Sequence, residues 1–302
     1  MPQRDKGRQM DMQKYLQRIN YDGPIENQAA TLDTLCACHY SHVPFENLDL
    51  FGGPRRSMNP AKIYQKIVEE NRGGICCELN ILFAWLLKEI GFQVELVENQ
   101  IFLQKTKTFD RKLEHSTLLV TCNHGEKFFV NLSGFYYNFP LAVVDMKEQV
   151  RKSGALRLKK QDNDVYLLEK KQKQCFSFAG KEITKPHTED DWQLIQKIDT
   201  TPRQAFEFQA IFDDIVTQRN CFTNRNTVCR AEREMGFTLL WGMTVYRKEY
   251  VDHCTEKVVS VVTANDQEEL KMLLKNFFKI LIDYDIEPCS FDFTKEHLEE
   301  LR

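Results

Sequence analysis

An α+β fold is what the hydrophobic periodicity of this 302-residue chain predicts, on three observations. Residues 12–92 repeat apolar positions at helical spacing. Residues 93–178 break into short β-rich runs separated by turn residues, the habit of a small antiparallel sheet or barrel. The last third mixes both types. We therefore divide the chain into a helical bundle over 1–92, a β unit over 93–190 and an α/β unit over 191–302.

In order, residues 12–19 predict a short helix, residues 28–40 a second with Leu32, Leu35 and Cys36 on one face, and residues 60–70 a third with Ile63, Ile67 and Val68. Pro44, Gly52, Gly53 and Pro54 break the chain between them into loops. After Gly73 and Gly74 a longer helix carries Leu79, Leu82, Phe83, Leu86, Leu87 and Ile90, with Trp85 on its other side and Gly91 as its stop. A helix apolar nearly all round is normally central to its bundle.

Strands are expected at 93–98, 116–122, 127–132, 143–144, 165–168 and 175–178. The Lys-, Arg- and Asp-rich stretch 153–164 reads as a solvated hairpin tip, and 181–190 as a linker. Helices over 191–215 and 266–280 flank strands around 237–247 and 257–263. Residues 1–11 read as a loose polar arm, and there is no internal repeat or low-complexity segment.

A net charge of −3 gives no reason to expect nucleic acid or an anionic membrane as partner. No apolar run reaches transmembrane length, and the start resembles neither a signal peptide nor an anchor. Ten cysteines, including the adjacent pair Cys76 and Cys77, lack the spacing of a disulfide framework and read as reduced thiols of a cytoplasmic protein.

Cys76 falls at a helix start, where unpaired backbone N–H groups stabilise a thiolate. An ordinary cysteine, with a pKa near 8.5, is only about 3% thiolate at pH 7, so such a placement would make a nucleophile. The glycine pair would let a substrate carbonyl approach the main chain, and N–H groups of the first turn could receive an oxyanion. The alternative is a buried structural cysteine.

A cysteine nucleophile needs a base, and His115 opens one of the expected strands. If residues 123–125 form a hairpin loop, Thr117 faces Asn131, and His115 and Asn131 become diagonal neighbours on one face, about 7–8 Å apart along the backbone. Imidazole would then take the thiol proton while the Asn131 amide oxygen fixes the ring. The bland reading makes His115 a strand-end histidine and Asn131 a turn residue. Cys36, Cys38, His39 and His42 suggest metal ligands, but no second ligand pair follows at zinc-site spacing, so no metal is expected.

These residues carry a resemblance. Arg72-Gly-Gly-Ile-Cys76 followed by Glu78-Leu-Asn80 resembles the active-site cysteine motif of the arylamine N-acetyltransferases. Val43-Pro-Phe-Glu-Asn-Leu48, preceded by His39, resembles that family's Pro-Phe-Glu-Asn-Leu segment. Tyr15-Leu-Gln-Arg-Ile19 with Tyr21, Phe139-Pro-Leu141 and residues 267–278 have counterparts too, and His115 stands at the family's histidine.

The resemblance implies a cysteine-protease-like core in three parts: a helical bundle carrying the cysteine, a β-barrel carrying histidine and acid, and an α/β lid. It implies ping-pong transfer from acetyl-coenzyme A through a Cys76 thioester to an arylamine or arylhydrazine, with Phe45 lining the pocket for acyl group or aromatic acceptor. Where the family has a catalytic Asp within a Val-Asp-(Val/Ala)-Gly-Phe-Gly run, this chain has Val130-Asn-Leu-Ser-Gly-Phe135. The expected catalytic set is accordingly Cys76, His115 and Asn131, with the thiolate forming at higher pH than with Asp. Ser133 and Gly134 are the candidate coenzyme contacts, and Phe135 a candidate acceptor contact. Two other classes share these features: a Cys-His-Asn acyltransferase or hydrolase with another acyl donor, and a degenerate member that binds an aromatic ligand without turnover.

Overall fold

The computed structural model describes residues 10–54, 57–171, 175–178, 181–184, 192–218, 226–251 and 255–287. Residues 1–9 of the expected arm and 185–190 of the expected linker lie outside the described residues.

The N-terminal part is helical, as its period predicts. Helix Met12–Arg18 is capped by Asp11, whose side chain accepts from Lys14 N at 3.1 Å. Helix Ala29–His42 follows. Pro60–Tyr64 starts at an Asn59 cap with Pro60 in its first turn and runs on as a π turn over Gln65–Glu69. Helix Cys76–Ile90 ends at Gly91, whose φ of 103° is available at little cost only to glycine. Leu79, Leu82, Phe83, Leu86 and Leu87 are fully buried, and Trp85 on the opposite side stacks on Tyr15. This is the central helix. Truncating any of those leucines to alanine would cost about 2–5 kcal/mol.

A nine-stranded antiparallel sheet curls into a nearly closed barrel. Its order is Leu141–Ala142, Lys127–Val130, His115–Thr121, Gln93–Leu103, Trp192–Pro202, Val165–Lys171, Gly154–Lys160 and Gln149–Arg151, with Thr108–Phe109 paired beside Gln93–Leu103. Strand His115–Thr121 is buried on both faces. Leu118 and Val120 point to the helical core, and Leu119 to a second core with Val97, Phe129, Leu156, Leu158, Leu168 and Ile198. Strand His115–Thr121 is therefore clamped between two cores, which makes it a rigid mount for the residue at its head.

A seven-stranded, mostly antiparallel sheet runs Phe45–Glu46, Val228–Arg233, Gly236–Trp241, Thr244–Tyr250, Thr255–Thr263, Cys175–Phe178 and Lys181–Thr184. Helix Gln267–Leu273 and the turn after it cover this sheet, packing Leu270, Leu274 and Phe278 on Cys229, Leu240 and Val245. Phe45 pairs with Arg230 at the sheet edge, so the strand ahead of the Gly73–Gly74 loop belongs to the C-terminal sheet.

Several elements differ from expectation. Residues 153–164 are mostly strand Gly154–Lys160, because Leu156 and Leu158 alternate inward among the charges. Residues 191–215 begin as strand Trp192–Pro202 and become helical at Ala205–Gln218. The expected linker contains strand Lys181–Thr184. Strands Cys175–Phe178 and Lys181–Thr184 pair within the second sheet, whereas strand Trp192–Pro202 sits inside the first. Periodicity reveals an element's type but not which sheet it joins.

Candidate active site

The loop that delivers Cys76 is held by buried charge. Arg72 Nη2 donates to Glu46 Oε1 at 2.9 Å and Asp49 Oδ1 at 2.6 Å, and Lys66 Nζ lies 3.3 Å from Asp49 and 3.1 Å from Glu78. Burial works against the Arg72 charge, but the two carboxylates outweigh it and fix it as a cation. Breaking such a buried network by removing one partner strands the others. Asn47 extends the support: its amide donates to Asn226 O, and its oxygen accepts from Val228 N.

The glycine pair serves this lock. A Cβ on Gly73 would lie 2.1 Å from Pro44 O and 2.8 Å from Glu46 Cγ, and one on Gly74 would lie 3.0 Å from Glu78 Cβ and Oε2. The loop also pairs with the chain over residues 44–46 through Gly74 N to Pro44 O and Glu46 N to Gly74 O, so the two glycines let these backbones approach closely. At the helix start Glu78 Oε2 accepts from Ile75 N at 2.9 Å.

Cys76 Sγ lies 3.6 Å from His115 Nδ1. On the far side of the ring, His115 Nε2 lies 3.1 Å from Asp110 Oδ2. A proton on Nε2 donated to this carboxylate leaves the Nδ1 lone pair facing the sulfur, the tautomer a base toward Cys76 requires. Asp110 comes from the loop between strands Thr108–Phe109 and His115–Thr121. It is pinned by Ile101 N, which donates to Asp110 Oδ1 at 2.8 Å, and by its own N–H to Ile101 O.

Asn131 is therefore displaced from the role the sequence suggested. The expected register holds, with Leu118 opposite Val130 and Cys122 N bonded to Glu126 O, but register does not decide where an amide points. The Asn131 side-chain oxygen accepts from Ser133 N at 3.1 Å, and its main-chain oxygen accepts from Tyr40 Oη. A carboxylate also holds an imidazole more strongly than a carboxamide does, so Asp110 wins the ring. The signal was an acid five residues ahead of the histidine, in a polar turn short enough to fold back on it.

The helix is stitched to the histidine strand by Asn80, which is fully buried. Its amide donates to Ser116 O at 2.8 Å, and its oxygen accepts from Leu132 N at 2.9 Å. One side chain thus ties the residue after His115 to the helix that starts at Cys76.

The electrostatics pull against each other. The Cys76 thiol is pushed up first by its contact with Cys77, whose sulfur is 3.9 Å away, then by burial, while His115 pulls it down. A helix start alone does not ionise it. Burial opposes charge on His115, but hydrogen bonds to Asp110 and Cys76 outweigh burial and hold the imidazole well above the ordinary histidine range. Transfer of the proton from sulfur to His115 is thus the step that Asp110 favours.

Phe45 and Phe135 meet edge to face, centroids 4.9 Å apart. Phe45 also bridges to Gly74, two residues before the cysteine. Ser133 is buried, and Gly134 has φ of 71° with Glu232 Oε1 3.3 Å from its missing Cβ, so its glycine is required by the turn. His39 sits between Tyr15 and Phe83, and His42 Nδ1 is 2.9 Å from Cys38 O, so the cysteine-histidine run on that helix does not converge on one point.

A model of the N-acetyltransferase family matches residues 28–286. The chain belongs to the N-acetyltransferase family. As an N-acetyltransferase it is an acyltransferase. It is 27% identical over 289 residues to the Gallus gallus arylamine N-acetyltransferase, pineal gland isozyme NAT-3, covering 93% of this chain and 98% of that one. It is 24% identical to Homo sapiens arylamine N-acetyltransferase 1 over 94% of this chain and 98% of the other. Among solved structures, the arylamine N-acetyltransferase of Salmonella typhimurium superposes with a TM-score of 0.76 at 20% identity, covering 96% and 97% of the two chains. The Mycobacterium marinum arylamine N-acetyltransferase in complex with CoA gives 0.73 at 20% identity, covering 89% and 93%. No helix among the described residues of this N-acetyltransferase is long and apolar enough to cross a membrane.

Proposed function

We propose that this chain is an arylamine N-acetyltransferase that carries acetyl from acetyl-coenzyme A to an arylamine or arylhydrazine through a thioester on Cys76. The observation that carries the reading is the alignment of Cys76, His115 and Asp110 through the two nitrogens of one ring, at 3.6 and 3.1 Å. Names of the relatives support the acceptor class, and the coenzyme A complex of a structural neighbour supports the donor.

In the first half-reaction His115 Nδ1 takes the Cys76 proton, and the thiolate attacks the acetyl carbonyl of the donor. A carbon–sulfur bond forms to Cys76, and the bond to the coenzyme sulfur breaks. The leaving thiolate takes the imidazolium proton, while N–H groups at the start of helix Cys76–Ile90 face the developing oxyanion. In the second, the amine attacks the thioester, His115 removes a proton from its nitrogen, and Cys76 leaves with the bonding pair. The Asp110 carboxylate offsets the imidazolium charge. The aromatic corner of Phe45 and Phe135 receives the acyl group or the acceptor ring. Ser133 and Gly134 remain the candidate contacts of the coenzyme arm, and Asn131 shapes the turn that presents them.

Intact mass after incubation with acetyl-coenzyme A tests this. A single acetyl adduct, absent in Cys76→Ala and discharged by an added arylamine, is expected. A protein that stays unmodified under those conditions contradicts the proposal.

A further inference from the structure

Outside the cysteine contact, the imidazole is part of a second constellation. Asp110, Glu114 and His115 each offer one ligand atom, and these atoms lie within 4.8 Å of one another. We propose that these three side chains form a zinc-class divalent metal site that turns the enzyme off by occupying the outer nitrogen of its base.

Donor type and geometry both favour such an ion. One imidazole nitrogen with two carboxylates is a donor set for zinc and its neighbours, and three protein ligands with an open position is the habit of exchangeable rather than structural sites. Zinc bonds of 2.0–2.1 Å place tetrahedral ligands about 3.3 Å apart. His115 Nε2 and Asp110 Oδ2 stand at 3.1 Å, close to that edge before any ion arrives. Asp110 is held from behind through Ile101 N on its other oxygen, the outer support that ligating carboxylates usually have. The chain turns at Leu113, with φ of 62°, immediately before Glu114 and His115. Side-chain exposures of 21% for His115 and 11% for Asp110 leave an ion a way in.

The chemical consequence follows from the ring. On binding, Nε2 gives its proton to solvent and its lone pair to the metal, so the remaining ring proton sits on Nδ1, facing Cys76. That nitrogen no longer has a lone pair with which to accept the thiol's proton or the amine's. Metal and acyl transfer are mutually exclusive. Only this inhibitory consequence rests on the acyltransfer reading; the binding does not.

Two readouts keep the claims apart. Cobalt chloride titrated into the full-length protein is expected to give visible d–d bands from one site without intense thiolate-to-metal charge-transfer absorption, and Glu114→Gln is expected to weaken that site by about tenfold or more. Zinc chloride is expected to inhibit acetyl transfer, EDTA to restore it, and Glu114→Gln to keep turnover while needing about tenfold more zinc. Thiolate charge-transfer bands would place the ion on Cys76 and overturn the proposal, as would an affinity unchanged by Glu114→Gln. Cobalt binding as expected in a protein that transfers no acetyl leaves the site intact and removes the function instead.

Discussion

Asp110 Oδ2 lies 3.1 Å from His115 Nε2, on the side of the ring opposite Cys76. The acid and the histidine are only five residues apart in the chain, so one short turn carries the whole proton-handling half of the site. Because the acid raises the folded-state affinity of His115 for its proton, this pair stabilises the fold fully below the ordinary histidine pKa near 6.5. That stabilisation is lost as pH rises through the elevated value.

Asn80→Leu removes the stitch between the two halves. Ser116 O and Leu132 N would be left unpaired in a buried place, costing about 2–4 kcal/mol in urea unfolding. If the loss is under about 0.5 kcal/mol, the level of a surface substitution, Asn80 does not hold the halves together.

Gly73→Ala should act through the nucleophile's position. The added methyl meets Pro44 O, which cannot retreat without shifting strand Phe45–Glu46. Overpacking of this kind costs about 1–3 kcal/mol. Acetyl transfer should fall further than stability alone explains, whereas Gly91→Asn, strained by its φ of 103° but with open space for its Cβ, should lower transfer no further than its stability cost explains.

His39 supplies a pH dependence of stability. Fully buried between Tyr15 and Phe83, with neither ring nitrogen hydrogen-bonded among the described residues, it is pushed down to about 3, first by burial and then by Arg18 and His42. Between about pH 3 and 6.5 the unfolded chain binds a proton that the folded one refuses, so stability falls as pH falls through that window. From pH 7.5 to 5 the loss from this group is about 2 kcal/mol. His39→Phe should remove that slope; equal slopes in mutant and wild type would show that His39 is not the group responsible.

Much of the fold was legible because buried faces impose a period. Helix Cys76–Ile90 could be read from its leucines and Gly91, and the hairpin register from the three residues after Cys122. That Cys76 and His115 meet, at 3.6 Å, was legible from their place at a helix start and a strand head. The third partner was not, since Asn131 stands where a strand register and a family motif both put it, while Asp110 reaches the ring from an irregular turn without period. Strand Gly154–Lys160 was hidden for the converse reason, two inward leucines among lysines and arginines. The glycine pair reads as room for substrate because a sequence cannot say that Pro44 O lies against Gly73.

The pH profile of Cys76 carbamidomethylation by iodoacetamide, in EDTA-treated buffer, compares the two candidates for the ring's partner directly. Each pKa unit of lost imidazolium stabilisation is about 1.4 kcal/mol. Asp110→Asn is predicted to lower the rate at neutral pH by about tenfold and to move the appearance of the thiolate about one unit higher, whereas Asn131→Asp leaves the profile in place. A profile that moves with Asn131→Asp and stays still with Asp110→Asn would contradict the account.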